Sequence, residues 1–375
     1  MESSSCWHDG RVDLDGFLAS ARELLAVPST ADRPAELGRA LDLVLGYVGG
    51  GFTVERFESR GKPSALLYAG ERRPEFRIML NGHLDVVPAA PDQFRPRLAG
   101  DRLYARGAQD MKVSALAQAL AFRELAGRVP YPLGLQLVTD EETGGRDGTL
   151  HQLERGVTAG FVVIGEHSGL RIVTESKGRI TAVLRATGQR GHAAYPWDGD
   201  NALVKLHRTI GRLLDAYPVP ADELWQTTLS VARMHTRNQA VNQIPDQAEA
   251  WLDFRFPPQD ANLAGRTVPQ LTAYLAGFCE PGVTPEVEHA DPPHSADRNR
   301  PEIRALVRAA ERQGYRADFL RKHGAADGRF YYQRGIDAVI FGVGGDGQHG
   351  DDEYVDTTTI APYHRALTEF LSQRW

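Results

Sequence analysis

Apolar strand-like runs alternate with helical segments at both ends of the chain, and the alternation stops between about residues 174 and 288. Strands separated by helices pack as α/β layers around a largely buried sheet, so the break constrains the fold more than any other feature. In the leading part, apolar residues recur at helical spacing over residues 12–25, and Ser29 and Thr30 stand as caps for a second helix over 34–47. Short β-rich runs follow at 52–54, 65–68 and 76–80, the last entering the loop NGHLDVVP. The Ala- and Leu-rich stretch 111–126 has no internal Pro or Gly and reads as a strong helix, followed by strands at 133–139 and 161–164.

Across the break, ITAVLRATG, residues 202–214, TTLSVARM and AEAWLDFRF read as strand, helix, strand and strand, a small α+β unit with a partly antiparallel sheet. The Pro-rich EHADPPHSADRNRP reads as a return linker, after which a helix at 301–313, the strand AVIFGVGG and a helix at 361–372 resume the first style. A chain of 375 residues exceeds the usual size of one core. The expected organisation is one α/β domain of residues 1–174 and 289–375, interrupted by a smaller α+β domain of residues 175–288.

Apolar residues form 42% and charged residues 25% of the sequence, which is ordinary for a soluble globular protein. The net charge of -6 comes from acids and bases spread along the chain, with no basic block to neutralise phosphates, which argues against nucleic acid as a partner. Cys6 and Cys279 are the only cysteines, so there is neither a disulfide framework nor a CxxC motif, and a reducing cytoplasm fits. MESSSCWHDGRVDLDG lacks a basic stretch followed by an apolar core, and no segment approaches the ~20 apolar residues that span a bilayer. A soluble, unexported protein with no membrane partner is expected.

Chemistry-bearing side chains gather where strands end. His83 and Asp85 lie two apart at a strand terminus, where such side chains share a face, and a carboxylate often orients a metal-ligating histidine. Asp110 stands just before the long helix and by itself reads as an N-cap. In TDEETGG, Asp140, Glu141 and Glu142 follow an apolar strand; alone they read as a solvated turn or the first turn of a helix. Adjacent carboxylates repel unless cations or solvent offset them. Glu166 follows FVVIG at a strand's C-terminal end, where open α/β sheets gather ligand sites, and His349 sits in the glycine-rich GGDGQHGDDEYV. Singly, these two read as an exposed strand-end acid and a surface histidine. Ligand-type residues at most strand ends of the α/β part, joined by His349, point to a metal centre.

The segments GHLDVVP, LYARGAQDMK, TDEETGG, IGEHSG, GQRGHAAYP, NQIP with DFR, and HGDDEYV follow one another along essentially the full length. In them the chain resembles the M20 metallopeptidases, the group of acetylornithine deacetylase, succinyl-diaminopimelate desuccinylase, aminoacylase and carboxypeptidases of the glutamate carboxypeptidase type. The resemblance implies an α/β, zinc-exopeptidase-like catalytic domain with a central mixed sheet, and makes the inserted unit a lid and dimerisation domain. It implies that His83, Asp110 and Glu166 hold one metal and Asp110, Glu142 and His349 the other. Asp110 would bridge, Asp85 orient His83, and Glu141 stay unligated as general base. His192 would reach into the active site, often that of the partner in a homodimer, to bind the oxyanion. Asn242 and Arg255 would lie near the substrate, Arg255 as a partner for its carboxylate.

Two Zn2+ with these carboxylates and a bridging hydroxide make a neutral ligand set, and cobalt or manganese is also compatible. Such metals lower the pKa of water toward ~7. Glu141 would accept its proton and deliver it to the leaving amine, and a preorganised hydrogen bond from His192 would be worth ~3 kcal/mol.

Certain positions depart from the family pattern. Val113 replaces the Gly of DMKG and stiffens the helix start. His167 stands where Pro commonly follows the ligand Glu, as a substrate contact, a donor to a ligand or a neutral replacement. In HGAADGR, Ala326 replaces a small hydroxyl residue before Asp327, in a loop that shapes the substrate pocket. The expected activity is hydrolysis of the amide bond of an N-acyl amino acid or dipeptide-like substrate. A carrier-linked or specialised biosynthetic substrate, a single-metal enzyme, and a non-hydrolytic binding protein on the same fold stand as alternatives.

Overall fold

Residues 7–8, 11–316 and 318–375 are described by a computed structural model of the chain, which divides into two units. The readings of Cys6 and of the extreme N-terminus lie outside the described residues. The first unit comprises Met1–Thr174, Ala296–Arg321 and Phe330–Trp375; the second comprises Glu175–Ser295 and Lys322–Arg329.

In the first unit, α1 (Leu14–Leu25) and α2 (Pro34–Val48) precede β1 (Thr53–Ser59), β2 (Lys62–Tyr68) and β3 (Ile78–His83). Next come α3 (Val113–Leu125), β4 (Leu133–Val138), β5 (Phe161–Ile164) and β6 (Ile172–Ser176), which runs across the boundary. The second unit holds β7 (Gly178–Thr187), α4 (Ala202–Ala216), β8 (Thr228–His235), β9 (Gln247–Phe256), α5 (Val268–Ala276) and β10 (Val283–Asp291). The chain then returns through α6 (Pro301–Arg312), β11 (Asp337–Ile340) and α7 (Ile360–Leu371).

The large sheet is mixed, in the order β6-β11-β5-β3-β4-β2-β1. Its centre, β11, β5, β3 and β4, is parallel, and the outer strands pair antiparallel. Every residue of β3, β4 and β5 is buried, as expected for parallel strands covered on both faces. Asn81 lies opposite both Gln136 and Ile164, so the C-terminal ends of these strands finish along one edge. Behind them α3 is buried from Val113 through Phe122 and packs against α2, α7, β3 and β4, which is why that stretch is apolar except for Ser114 and Gln118. Gln118 Nε2 donates to the Val163 carbonyl at 3.1 Å and ties the helix to β5.

In the second unit β8-β9-β7-β10 form an antiparallel sheet, and β9 alternates between buried and half-buried residues. A separate apolar core, including Leu184, Leu206, Leu252 and Phe254, fills the space under α4 and α5.

Local readings are corrected in several places. Ser29 and Thr30 do not cap α2, which starts from Arg33 with Pro34 in its first turn. The Ser29 hydroxyl instead donates to the Leu84 carbonyl (2.6 Å), and that of Thr30 to Asp32 (2.5 Å). Helix α3 begins at Val113, not 111, because Asp110 (φ -121°, ψ 95°) and Met111 (φ -133°, ψ 25°) have non-helical backbones. Asp110 is therefore no helix cap. The opening of EHADPPHSADRNRP is strand, the end of β10, and the second unit continues to Ser295. Pro285 hides that strand in the sequence, and the edge position of β10 tolerates it.

Gly342 follows β11, and a Cβ there would lie under 3.0 Å from the carbonyl oxygens of Gly165 and Glu166. These are backbone atoms, with no flexible side chain to yield. Gly342→Ala is expected to destabilise the chain by about 1–3 kcal/mol, the usual cost of overpacking, read as a lowered denaturant midpoint. An unchanged midpoint would contradict this packing.

Candidate metal centre

His83 is the last residue of β3, Asp140–Glu142 follow β4, and Glu166 follows β5, so the parallel register carries all of them to one edge. His83 Nε2 lies 2.9 Å from Asp110 Oδ1 and 3.1 Å from Glu166 Oε1. The other oxygen of Asp110 lies 3.4 Å from His349 Nε2, which is itself 3.2 Å from Glu142. One carboxylate thus faces two imidazoles, one oxygen to each. Ligand atoms lie within 4.8 Å of one another in each of the sets Asp110, Glu142, His349; His83, Glu141, Glu166; and Asp110, Glu166, His167.

The acids divide by the partners they take. Asp85 is buried, and its oxygens accept the backbone N–H groups of Glu141 (3.2 Å) and Glu142 (3.0 Å). The Asp85 carbonyl is 3.1 Å from His83 Nδ1 and the carboxylate Oδ1 is 3.5 Å from the same nitrogen, so the residue that pins the acidic turn also faces the histidine ring. Asp140 accepts the N–H of Asp147 at 2.6 Å. Asp110, Glu142 and Glu166, by contrast, face imidazole nitrogens.

The electrostatics follow from those contacts. Burial pushes the His83 pKa down, but hydrogen bonds to Asp110, Asp85 and Glu166 outweigh it and hold the ring well above its ordinary value. His349 is pushed up to about 10 by its hydrogen bonds to Asp110 and Glu142. For Asp110, burial is outweighed by the contacts with His349 and His83, which keep its carboxyl well below the usual range; burial raises Glu142. Ring protons thus provide the positive charge that the buried acids require. A divalent cation would replace those protons, since it takes neutral imidazole and ionised carboxylate as ligands. Two imidazoles with three carboxylates suit zinc, cobalt or manganese in donor chemistry.

His167 is half-buried, with Nδ1 3.7 Å from Glu166 Oε2. Sequence reasoning missed Gln348, whose Nε2 donates to Asp110 Oδ2, and the buried Glu353, which accepts the Asp110 N–H at 3.2 Å. The signal for Glu353 was its place in HGDDEYV, where it stands beside Asp351 and Asp352 and residue type alone does not set it apart.

The remaining candidates belong to the second unit. His192 pairs with Gln243 in a short two-stranded ribbon, and the Ala193 N–H donates to the Asn242 carbonyl at 2.9 Å, so His192 and Asn242 are brought together. The Ala194 N–H donates to His192 Nδ1 (3.1 Å), which leaves the ring proton of the neutral form on Nε2. Arg255 lies on β9 and is already engaged by Asp253, Nε to Oδ1 at 2.6 Å and Nη2 to Oδ2 at 3.2 Å. Asp327 is buried, 3.8 Å from Arg329 Nη1.

A family model described as Peptidase family M20/M25/M40 matches residues 79–373. The chain is 30% identical to succinyl-diaminopimelate desuccinylase from Cereibacter sphaeroides, over 95% of this chain and 99% of that protein. It is 28% identical to acetylornithine deacetylase from Edwardsiella ictaluri, over 96% and 97%. A solved M20 family metallo-carboxypeptidase from Sulfolobus solfataricus shares the fold, with a TM-score of 0.73 at 18% identity over 95% of this chain and 98% of that one. The matched span opens inside β3, ahead of His83, and closes beyond α7, so every side chain gathered at the strand ends falls within it, and the chain belongs to peptidase family M20/M25/M40.

Proposed function

We propose that this metal-dependent amidohydrolase cleaves the amide bond of an N-acyl amino acid or dipeptide-like substrate at a pair of divalent metals. The observation that carries the pairing is the two-sided Asp110, with Oδ1 toward His83 and Oδ2 toward His349. His83, Asp110 and Glu166 are assigned to one ion and Asp110, Glu142 and His349 to the other, zinc by preference. Bound there, the ions supply Lewis acidity, which polarises a carbonyl and acidifies water.

The chain's own groups do the rest. Asp85 holds the Glu141–Glu142 turn by its backbone, so that Glu142 faces the ions while Glu141 is presented as the proton carrier. Glu141 takes a proton from the attacking water and returns it to the leaving amine. His192, with its proton on Nε2, is assigned as hydrogen-bond donor to the developing oxyanion. His167, Asn242, Arg255 and Asp327 are assigned to the substrate; Arg255 retains donors that Asp253 does not use, and these suit a free carboxylate. The names of the similar proteins, a desuccinylase and a deacetylase, support a small acyl group on an amino acid.

We further propose a cytoplasmic homodimer assembled through the second unit, the lid and dimerisation domain of this reading. Near His192 in sequence, Trp197 is 75% exposed and Tyr195 52%, and Val241 beside Asn242 is fully exposed, an apolar set of the kind that marks association surfaces.

Glu141→Gln should keep its metal content by elemental analysis while turnover of an N-acyl amino acid falls about 100-fold or more; a metal-replete, fully active variant would sink the assigned role. Asp110→Ala should lose both ions together, whereas His349→Ala should lose one, and chelator treatment of the wild type should abolish hydrolysis until Zn2+ is restored. Sedimentation should find a dimer that Trp197→Glu dissociates; an active wild-type monomer would refute the assembly.

A further inference from the structure

Beside the site lies an ion pair to which the proposed mechanism gives no part. Arg106 and Glu353 are 2% and 1% exposed and are joined Nη1 to Oε2. The other oxygen of Glu353 accepts the backbone N–H groups of Gln109 (3.0 Å) and Asp110 (3.2 Å). The other terminal nitrogen of Arg106 donates to the carbonyls of His349 (3.0 Å) and Gly350 (3.1 Å). One end of the pair therefore grips the backbone of the shared carboxylate, and the other grips the backbone of the histidine that faces it.

Neither backbone is held by regular secondary structure. Asp110 lies in the non-helical turn ahead of α3, and His349 has a left-handed φ of +62°, unfavourable for a residue with a Cβ. The His349 side chain is also 47% exposed, so packing does not fix it. On the opposite side of Asp110, by contrast, His83 ends a fully buried strand and Glu166 follows another.

We propose that Arg106 and Glu353 are positioning residues that fix Asp110 and His349 relative to each other before metal arrives, and so set the affinity of the Asp110–Glu142–His349 site in particular. This rests on the two-metal reading. A ligand loop ordered in advance loses less conformational freedom when the ion binds. Arginine suits the task because its planar fork can reach a carboxylate with one nitrogen and two carbonyls with the other, which a single ammonium cannot do in the same geometry.

Arg106→Lys keeps the charge and loses the fork; Glu353→Gln keeps the shape and loses one acceptor oxygen. Each full-length variant is stripped of metal and titrated with Zn2+ against a competing chelator. The first equivalent should bind as in the wild type and the second at least tenfold more weakly. In the metal-free chains, hydrogen exchange across residues 107–112 and 346–353 should rise at least tenfold, with β3 and β5 unchanged. Equal weakening of both equivalents, or an unchanged second equivalent, would overturn the proposal. Should the wild type take up only one equivalent, the two-metal reading fails, and exchange alone decides the positioning role: faster exchange at the two segments supports it, and unchanged exchange refutes it.

Discussion

The structure turns on one carboxylate placed between two imidazoles. Asp110 is buried with its oxygens directed to His83 and His349, residues that reach it from opposite parts of the sequence. The sheet supplies one side of that arrangement through β3 and β5, and the loop after β11 supplies the other. Grouping acids at the end of a buried sheet is costly, because burial disfavours each charge and the charges repel. The fold offsets this in two ways. Asp85 and Glu353 each accept two backbone N–H groups and Asp140 accepts one, so these three serve as framework, while Asp110, Glu142 and Glu166 are turned toward nitrogen atoms that can exchange a proton for a cation.

That division explains what could be read from the sequence and what could not. The α/β alternation, the interrupting α+β segment and the acids at strand ends were legible because burial on both faces imposes apolar runs that stop where the chemistry begins. Three adjacent acids in TDEETGG were not separable, since their roles depend on partners rather than on residue type. Asp140 turns back to the Asp147 amide, whereas Glu142 faces His349. Asp85 was expected to orient His83, yet its carboxylate accepts the N–H groups of the turn that carries Glu141 and Glu142, and its backbone carbonyl faces His83 Nδ1. The caps expected of Ser29 and Thr30 failed for a related reason: the Ser29 hydroxyl found a tertiary partner in the Leu84 carbonyl, 55 positions away, and no local pattern announces that.

Arg106 and Glu353 show the same limit more sharply. Their separation in sequence is 247 positions, and each lies in a motif dominated by a neighbouring residue of the candidate metal centre, Asp110 in one case and His349 in the other. A buried ion pair is weak evidence for stability, because desolvation of both charges can cancel their attraction, and apolar residues of similar volume often do as well. Apolar side chains at these positions would fill the space. They would leave the Gln109 and Asp110 N–H groups without the carboxylate, and the His349 and Gly350 carbonyls without the guanidinium, in segments that no ladder or helix supports. The geometry of the pair is therefore explained by the four backbone groups it directs rather than by the energy of the pair itself. The same four groups fix how far Asp110 stands from His349.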